Sequence, residues 1–156
     1  MQQQKLPLTI RKVWRQVTYI NSSVIIGLTG LYLMLAMFFH WSWLFSLIGV
    51  VLIIYQLFVK EMFINKWRWA RFSYSIYDEE IEIVTGVIFR SEELIPMIRI
   101  QHVETNQGPL LRKQQLKEVH IYTAASTHII PGLAEESATH LQAKIIERVK
   151  VATEDV

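Results

Sequence analysis

The chain has 156 residues, 51% of them hydrophobic, a formal charge of +2 and no cysteine, which is enough for one modest domain plus a segment in a bilayer. A disulfide-stapled scaffold, a cysteine nucleophile, a thiolate zinc site and an iron–sulfur cluster are all excluded. The small net charge conceals a marked segregation of charge along the chain.

Residues 1–15 carry Lys5, Arg11, Lys12 and Arg15 and no acid. From Gln16 to Val59, 44 consecutive residues contain no Asp, Glu, Lys or Arg. As a single helix that run would reach roughly 66 Å, about twice the hydrocarbon thickness of a bilayer, so it must fold back on itself. Two membrane helices are predicted, near 19–39 and 43–60. They turn at His40-Trp41-Ser42-Trp43, where amphipathic Trp rings settle at headgroup level. A cleaved signal peptide is the competing reading of the first span, but no A-x-A-like site follows it and a second apolar run begins at once.

Ser23, Gly27, Gly30 and Gly49 permit close helix approach, within the hairpin or with another protein's helices. The absence of Asp, Glu, Lys and Arg from the spans argues against a proton relay or ion pathway. Asn21-Ser22-Ser23 imitates a glycosylation sequon at the cytoplasmic end of a span, where no glycan is added. Past the run, Lys60, Lys66, Arg68 and Arg71 outnumber Glu61, so the two flanks together carry +7 and residues 72–156 carry −5. By the positive-inside rule both termini are cytoplasmic, and a multi-pass protein of the cell membrane is predicted. The division expected is a basic N-terminus over 1–18, a transmembrane hairpin over 19–60 and a cytoplasmic domain over 61–156.

That last part alternates in the manner of strands and closes with one helix. A first strand is expected from Trp67 to Tyr77, with Ala70, Phe72, Tyr74 and Ile76 inward and Arg71, Ser73 and Ser75 outward. Asp78-Glu79-Glu80 turns into a strand bearing Ile81 and Ile83, and Gly86 bends the chain before Val87-Ile88-Phe89. A polar turn over Arg90–Glu93 precedes Leu94-Ile95-Pro96 and a strand from Met97 to Asn106. There Ile98 and Ile100 share a face, and a bulge near Gln101 restores Val103 to it. Gln107-Gly108-Pro109 breaks the chain before a short loop or single helical turn. Glu118–Tyr122 places Val119 and Ile121 inward, and Ala124–Thr127 turns into His128-Ile129-Ile130, ended by Pro131-Gly132. Ala134, Ala138, Leu141, Ile145, Val149 and Ala152 then recur at helical spacing to about residue 152, with Glu135 and Glu136 suiting the helix N-terminus and Lys144, Arg148 and Lys150 its later turns. The fold class is α+β: a transmembrane helical hairpin, then a pleckstrin-homology-like small barrel or sandwich capped by a C-terminal helix.

The ordered set of two spans, Trp67-Arg68-Trp69, Thr85-Gly86-Val87-Ile88-Phe89-Arg90, Ile95 to Val103, Gln107-Gly108-Pro109-Leu110-Leu111-Arg112 and Ile130-Pro131-Gly132-Leu133 resembles the bacterial PH-like, membrane-flanked domain family. Within it, the short two-span form is similar to YdbS-type proteins, and the likeness covers about residues 19–150. The positions that carry the pattern are Gly86, Pro96, Arg99, Gln101, Gly108, Pro109, Arg112, Pro131 and Gly132. Where the family has a glycine soon after the arginine matching Arg112, this chain has Lys113-Gln114-Gln115, which puts any role of that loop in doubt. The resemblance implies fold and topology, and a partner in the form of a larger membrane protein with related domains. It implies no activity, since such folds serve lipid binding, peptide binding and scaffolding alike.

No nucleophile elbow, Walker loop or zincin motif is present, and no cofactor is expected. His102, His120, His128 and His140 have no metal-ligand spacing, although His102 and His120 fall in strands that could pair. Phosphoinositide capture at the first strand turn is opposed by Asp78, Glu79 and Glu80. The basic, aromatic residues Lys60, Lys66, Trp67, Arg68, Trp69 and Arg71 are the better candidates to face membrane lipid. The acidic balance from Phe72 onward opposes nucleic acid. The expectation is a non-enzymatic membrane scaffold that binds a larger membrane protein in envelope maintenance or stress, with anionic-lipid sensing or homo-oligomerisation as alternatives.

Overall fold

The structure, a computed structural model, describes residues 4–154. It divides into two compact units, one formed by residues 14–67 and the other by residues 1–13 together with 68–156.

The first unit holds most of two helices, α1 (Ile10–Phe39) and α2 (Trp43–Arg71), each long and apolar enough to cross a membrane. The turn lies where the Trp-rich break was predicted, with His40 in the left-handed region at φ 57° and the Ser42 hydroxyl accepting from the Leu44 N–H. The helices themselves overrun their predicted limits of 19 and 60 by nine and eleven residues. Charge marks where hydrocarbon ends, but Arg, Lys and Gln are good helix formers, so winding continues past it. Within α2, Tyr55–Ile64 is wound as a π-helix, closed by the Asn65 N–H on the Lys60 carbonyl. Between residues 18 and 60 the buried or half-buried positions include Thr18, Ser22, Ile25, Thr29, Tyr32 and Ala36 on α1 and Ser46, Gly49, Ile53, Gln56 and Lys60 on α2. These alternating steps of three and four trace one face of each helix. Gly49 lies so close to Thr29 that a Cβ would collide with its side chain, whereas Gly27 and Gly30 face open space.

The second unit contains two three-stranded antiparallel sheets. One has the order β1 (Ser73–Ile76), β2 (Glu80–Thr85), β3 (Ser91–Pro96), and the other β4 (Ile100–Asn106), β5 (Leu116–Thr123), β6 (Thr127–Ala134). A 3-10 turn, Met97–Arg99, joins the sheets, and Pro109–Arg112 forms the single helical turn before β5. The closing helix α3 (Glu135–Glu154) packs on β4, β5 and β6. Ala138, Leu141 and Ile145 of α3 join Ile81, Ile83, Val119, Ile121 and Ile130 in the core.

Several local expectations are corrected. Trp67–Arg71 is helix and β1 begins only at Ser73; the Phe72 N–H still bonds the Arg68 carbonyl. Ser73 and Ser75, expected outward, are buried. Ser91–Glu93 belong to β3 rather than to a turn, which leaves Val87–Phe89 as the loop tip. Ile98 lies in the 3-10 turn and is exposed, so it does not share the face of buried Ile100. The bulge expected near Gln101 is present as a register shift between Ile100 and His102, and Val103 is buried as that shift requires. Pro131-Gly132 does not end β6. A second register shift with Gly132 at φ +64° carries the strand on to Ala134, as an edge strand tolerates.

The largest departure concerns the N-terminus. Gln4 exchanges two backbone hydrogen bonds with Tyr74, of 2.9 and 3.0 Å, and thereby extends the first sheet beyond β1. Its side-chain carbonyl also accepts from the Tyr74 hydroxyl at 2.5 Å. The Trp69 indole donates to the Leu6 carbonyl at 2.9 Å. Leu6, Ile10 and Val13 are buried, and Ile10 presses on Gly132, where a Cβ would strike it. Among its described residues, the segment expected as a basic N-terminus over 1–18 therefore supplies a single β-bridge at Gln4 and the core residues Leu6, Ile10 and Val13.

Candidate functional site

The second unit has a groove of about 600 Å³ between the β3–β4 junction and the β5–β6 turn. Leu94, Pro96, Ile98 and Arg99 form one wall, and Thr123–Ser126 with His128 form the other. β3 and β6 are each the edge strand of their sheet, so the groove runs between two edges. Leu94 and Ile98 are exposed apolar side chains along it. Alternation places Leu94 opposite to buried Ile95, and the tight 3-10 turn throws Ile98 outward.

A hydrogen-bonded chain braces the groove. His128 Nδ1 meets Glu93 Oε2 at 2.8 Å, tying β6 to β3, and His128 Nε2 meets Ser126 Oγ at 2.7 Å. The order hydroxyl, imidazole, carboxylate is that of a hydrolase relay. Here it is explained by the turn itself. The Ser126 N–H donates to Thr123 Oγ1, the Thr123 N–H and hydroxyl both reach the Ser126 carbonyl, and Ser126 Oγ is shared with Thr123 Oγ1 at 3.2 Å. Ser126 is thus held as a turn residue.

The positions singled out in the sequence fall into three groups. Pro96, Arg99 and Gln101 meet at the groove. Gly108 and Pro109 start the helical turn that Arg112 ends, with Pro109 at its first position, where a missing N–H costs nothing. Gly86, at φ +128°, makes the β2–β3 turn, while buried Pro131 and Gly132 underlie Ile10. The basic and aromatic residues do not form a strand face. Lys60 is half-buried in the π-helical stretch, Lys66 and Trp67 are exposed on the next turn, and Arg68 and Arg71 are exposed at the end of α2. Trp69 turns inward to Leu6. Arg71 lines a smaller recess with Lys5 and Arg90, two cations that sequence reasoning passed over because nothing local joins them.

On the outer face of β4 and β5, His102 stacks on Tyr122 with centroids 4.2 Å apart. His102 and His120 do lie in paired strands, but they sit opposite Tyr122 and Glu104 rather than each other. Desolvation, followed by the charge and hydrogen bonding of Glu104, raises the Tyr122 phenol above its ordinary value. Among the described residues no group of three or more His, Asp or Glu is placed to hold a metal ion.

Residues 16–149 match the model of the bacterial PH domain. The chain belongs to the bacterial PH domain family. It is similar to the transmembrane protein YdbS of Bacillus subtilis strain 168, at 36% identity over 146 residues that cover 93% of this chain and 91% of the relative. No solved structure matches. The protein is thus a membrane protein with a bacterial PH domain, and the two apolar helices are its candidate transmembrane segments. The Ile10–Arg15 end of α1 and the Gln4 strand fall outside the family match, although Ile10 fills the space over Gly132 within it.

Proposed function

We propose that the protein is a non-enzymatic interaction module of the cell membrane, whose PH domain receives an extended segment of a larger membrane protein along the β3 edge. The observation that carries this reading is the braced groove between two sheet edges, with exposed Leu94 and Ile98 beside backbone that no neighbouring strand takes up. An added strand bonds to such an edge through its main chain, and alternate side chains fill the adjoining pocket. Exposed edges that serve no partner are commonly blocked; here two apolar side chains flank it. A related domain in the partner, as the family resemblance implies, would present strands able to pair in this way, and a role in envelope maintenance or stress follows from that setting.

The proposed topology is two membrane passes with both termini in the cytoplasm. Gln4–Val13 and the segment from Arg68 onward build one compact unit, so the flanks of a spanning hairpin emerge on one side. The cations Lys5, Arg11, Lys12, Arg15, Lys60, Lys66, Arg68 and Arg71 favour the cytoplasmic side.

The test is photo-crosslinking in intact cells from probes placed at Glu92 and Gln101, flanking the groove. A discrete adduct with one larger membrane protein, lost in Leu94→Glu/Ile98→Glu, is expected. Adducts that persist unchanged in that variant, or that contain only lipid or a second copy of this chain, would overturn the reading.

A further inference from the structure

Away from the groove, three cations from distant parts of the sequence line a recess of about 400 Å³: Lys5, Arg71 at the end of α2, and Arg90 at the entrance to β3, with Ala70, Ser73 and Val84 completing its wall. Beside it, the β2–β3 turn carries Ile88 and Phe89, 78% and 88% exposed, the latter the most exposed large apolar side chain among the described residues. The tip is held in shape. Gly86 adopts φ +128°, where a Cβ would collide with the Phe89 carbonyl, and Arg71 Nη1 donates to the Val87 carbonyl. Arg71 therefore belongs both to the cationic recess and to the support of the apolar tip. Arg90 pairs with Glu92 at 2.7 Å on the surface, and the described residues lining the recess include three cations and no acid.

We propose that Lys5, Arg71 and Arg90 cradle the phosphate of an anionic phospholipid while Ile88 and Phe89 wedge into the same leaflet. Cations around a headgroup-sized recess with adjoining apolar side chains are the complement of a membrane interface, in which charge meets phosphate and the wedge meets acyl chain. The placement agrees with the covalent layout: Arg71 closes the second apolar helix, and Lys5 lies five residues before the first begins. The site shares no residue with the groove, so it stands independently of the protein-docking proposal.

The chain has no cysteine, so Ile88→Cys in the full-length protein takes a single environment-sensitive fluorophore. In nanodiscs of phosphatidylcholine with phosphatidylglycerol, blue-shifted emission and quenching by spin-labelled acyl chains are expected. Both should weaken in nanodiscs of phosphatidylcholine alone and in the Lys5→Gln/Arg90→Gln background. The unlabelled protein keeps its native tip and provides the second readout. Native mass spectrometry should show preferential retention of phosphatidylglycerol, reduced about tenfold or more by Lys5→Gln/Arg90→Gln and unaltered by Leu94→Glu/Ile98→Glu. A water-like probe in both nanodiscs, equal lipid retention in wild type and variant, or displacement of the lipid by soluble glycerol phosphate would overturn the proposal.

Discussion

Ile10 and Ile20 lie on one continuous helix, yet the first is fully buried and the second half exposed. Ile10 belongs to the PH domain, where water drives apolar side chains into a common core. Ile20 belongs to the helical unit 14–67, whose most exposed side chains are large and apolar and whose fully buried positions up to Ser46 are the small Thr18, Ser22, Ala36 and Ser46. In lipid, burying one more isoleucine gains little, so small residues that let backbones approach are favoured at the contact. The difference extends to polar groups. Ser22 of the hairpin keeps a buried hydroxyl without a hydrogen-bond partner, as do the side-chain oxygens of Gln16 and Gln56, while in the domain Gln142 reaches the Val103 carbonyl and Gln107 the Leu116 carbonyl. The lesson is that burial alone does not rank residues by importance across this molecule, because one compact unit packs around a core and the other consists of candidate membrane helices.

The sharpest way to break this contrast is to truncate both isoleucines. Ile10→Ala should destabilise the domain by about 2–4 kcal/mol, as a cavity opens above Gly132, whereas Ile20→Ala should change stability by less than about 0.5 kcal/mol. Thermal unfolding of the detergent-solubilised protein followed by circular dichroism distinguishes the two. Equal losses would mean that the helix is buried along its whole length. Within the hairpin the corresponding pair is Gly49 and Gly27. Gly49→Val must displace Thr29 and is expected to cost about 1–3 kcal/mol of hairpin packing; Gly27→Val meets open space and should be nearly silent. Protease protection of the helices in nanodiscs would register the difference.

The attachment of the N-terminal strand can be probed by pH. Burial raises the Tyr74 phenol above its ordinary value near 10, so the folded state favours the protonated form. That contribution is complete below the ordinary phenol value and fades as pH rises through the raised one. Tyr74→Phe should cost about 1 kcal/mol at neutral pH through the lost bond to Gln4 and should flatten the decline in melting temperature above pH 10. An unchanged alkaline slope would remove Tyr74 from that account. The smallest effect is expected at the groove brace. His128→Ala releases Glu93 and Ser126 at a partly exposed site, for about 0.5 kcal/mol or less, but should speed amide hydrogen exchange in β3 and β6 near the groove.

The legible parts of the fold were those written in local pattern. The uncharged run specified two spans, alternation around Ile81 and Ile83 and around Val119 and Ile121 specified strands, and the phase error at Val103 located a bulge. Element ends were less legible. Lys66–Arg71 alternates aromatic and basic residues as a strand would, yet it remains helix because α2 arrives already wound and each added residue extends a helix at low cost. Pro131-Gly132 looks like a terminator, but an edge strand accommodates it. At the candidate sites, Arg71 was visible as part of a basic cluster. Lys5, Arg90, Leu94, Ile98 and the Glu93–His128–Ser126 chain were not, because each joins its neighbours only after two sheets and an N-terminal strand come together.

The sequence by itself determined that this membrane protein carries two apolar helices long enough to span a bilayer, that a net-acidic α+β domain follows, and which residues make most of its turns and core. These follow from hydrophobicity, periodicity and charge, which act over a few residues. Tertiary structure alone decided that Gln4–Val13 completes the domain, that Ile98 faces outward and that Lys5, Arg71 and Arg90 share a recess. Such outcomes depend on chain closure between residues as much as 122 apart in the sequence, as Ile10 and Gly132 are, where the unpaired edge of β1 and the hollow above Gly132 select what fills them, and no local pattern records that choice.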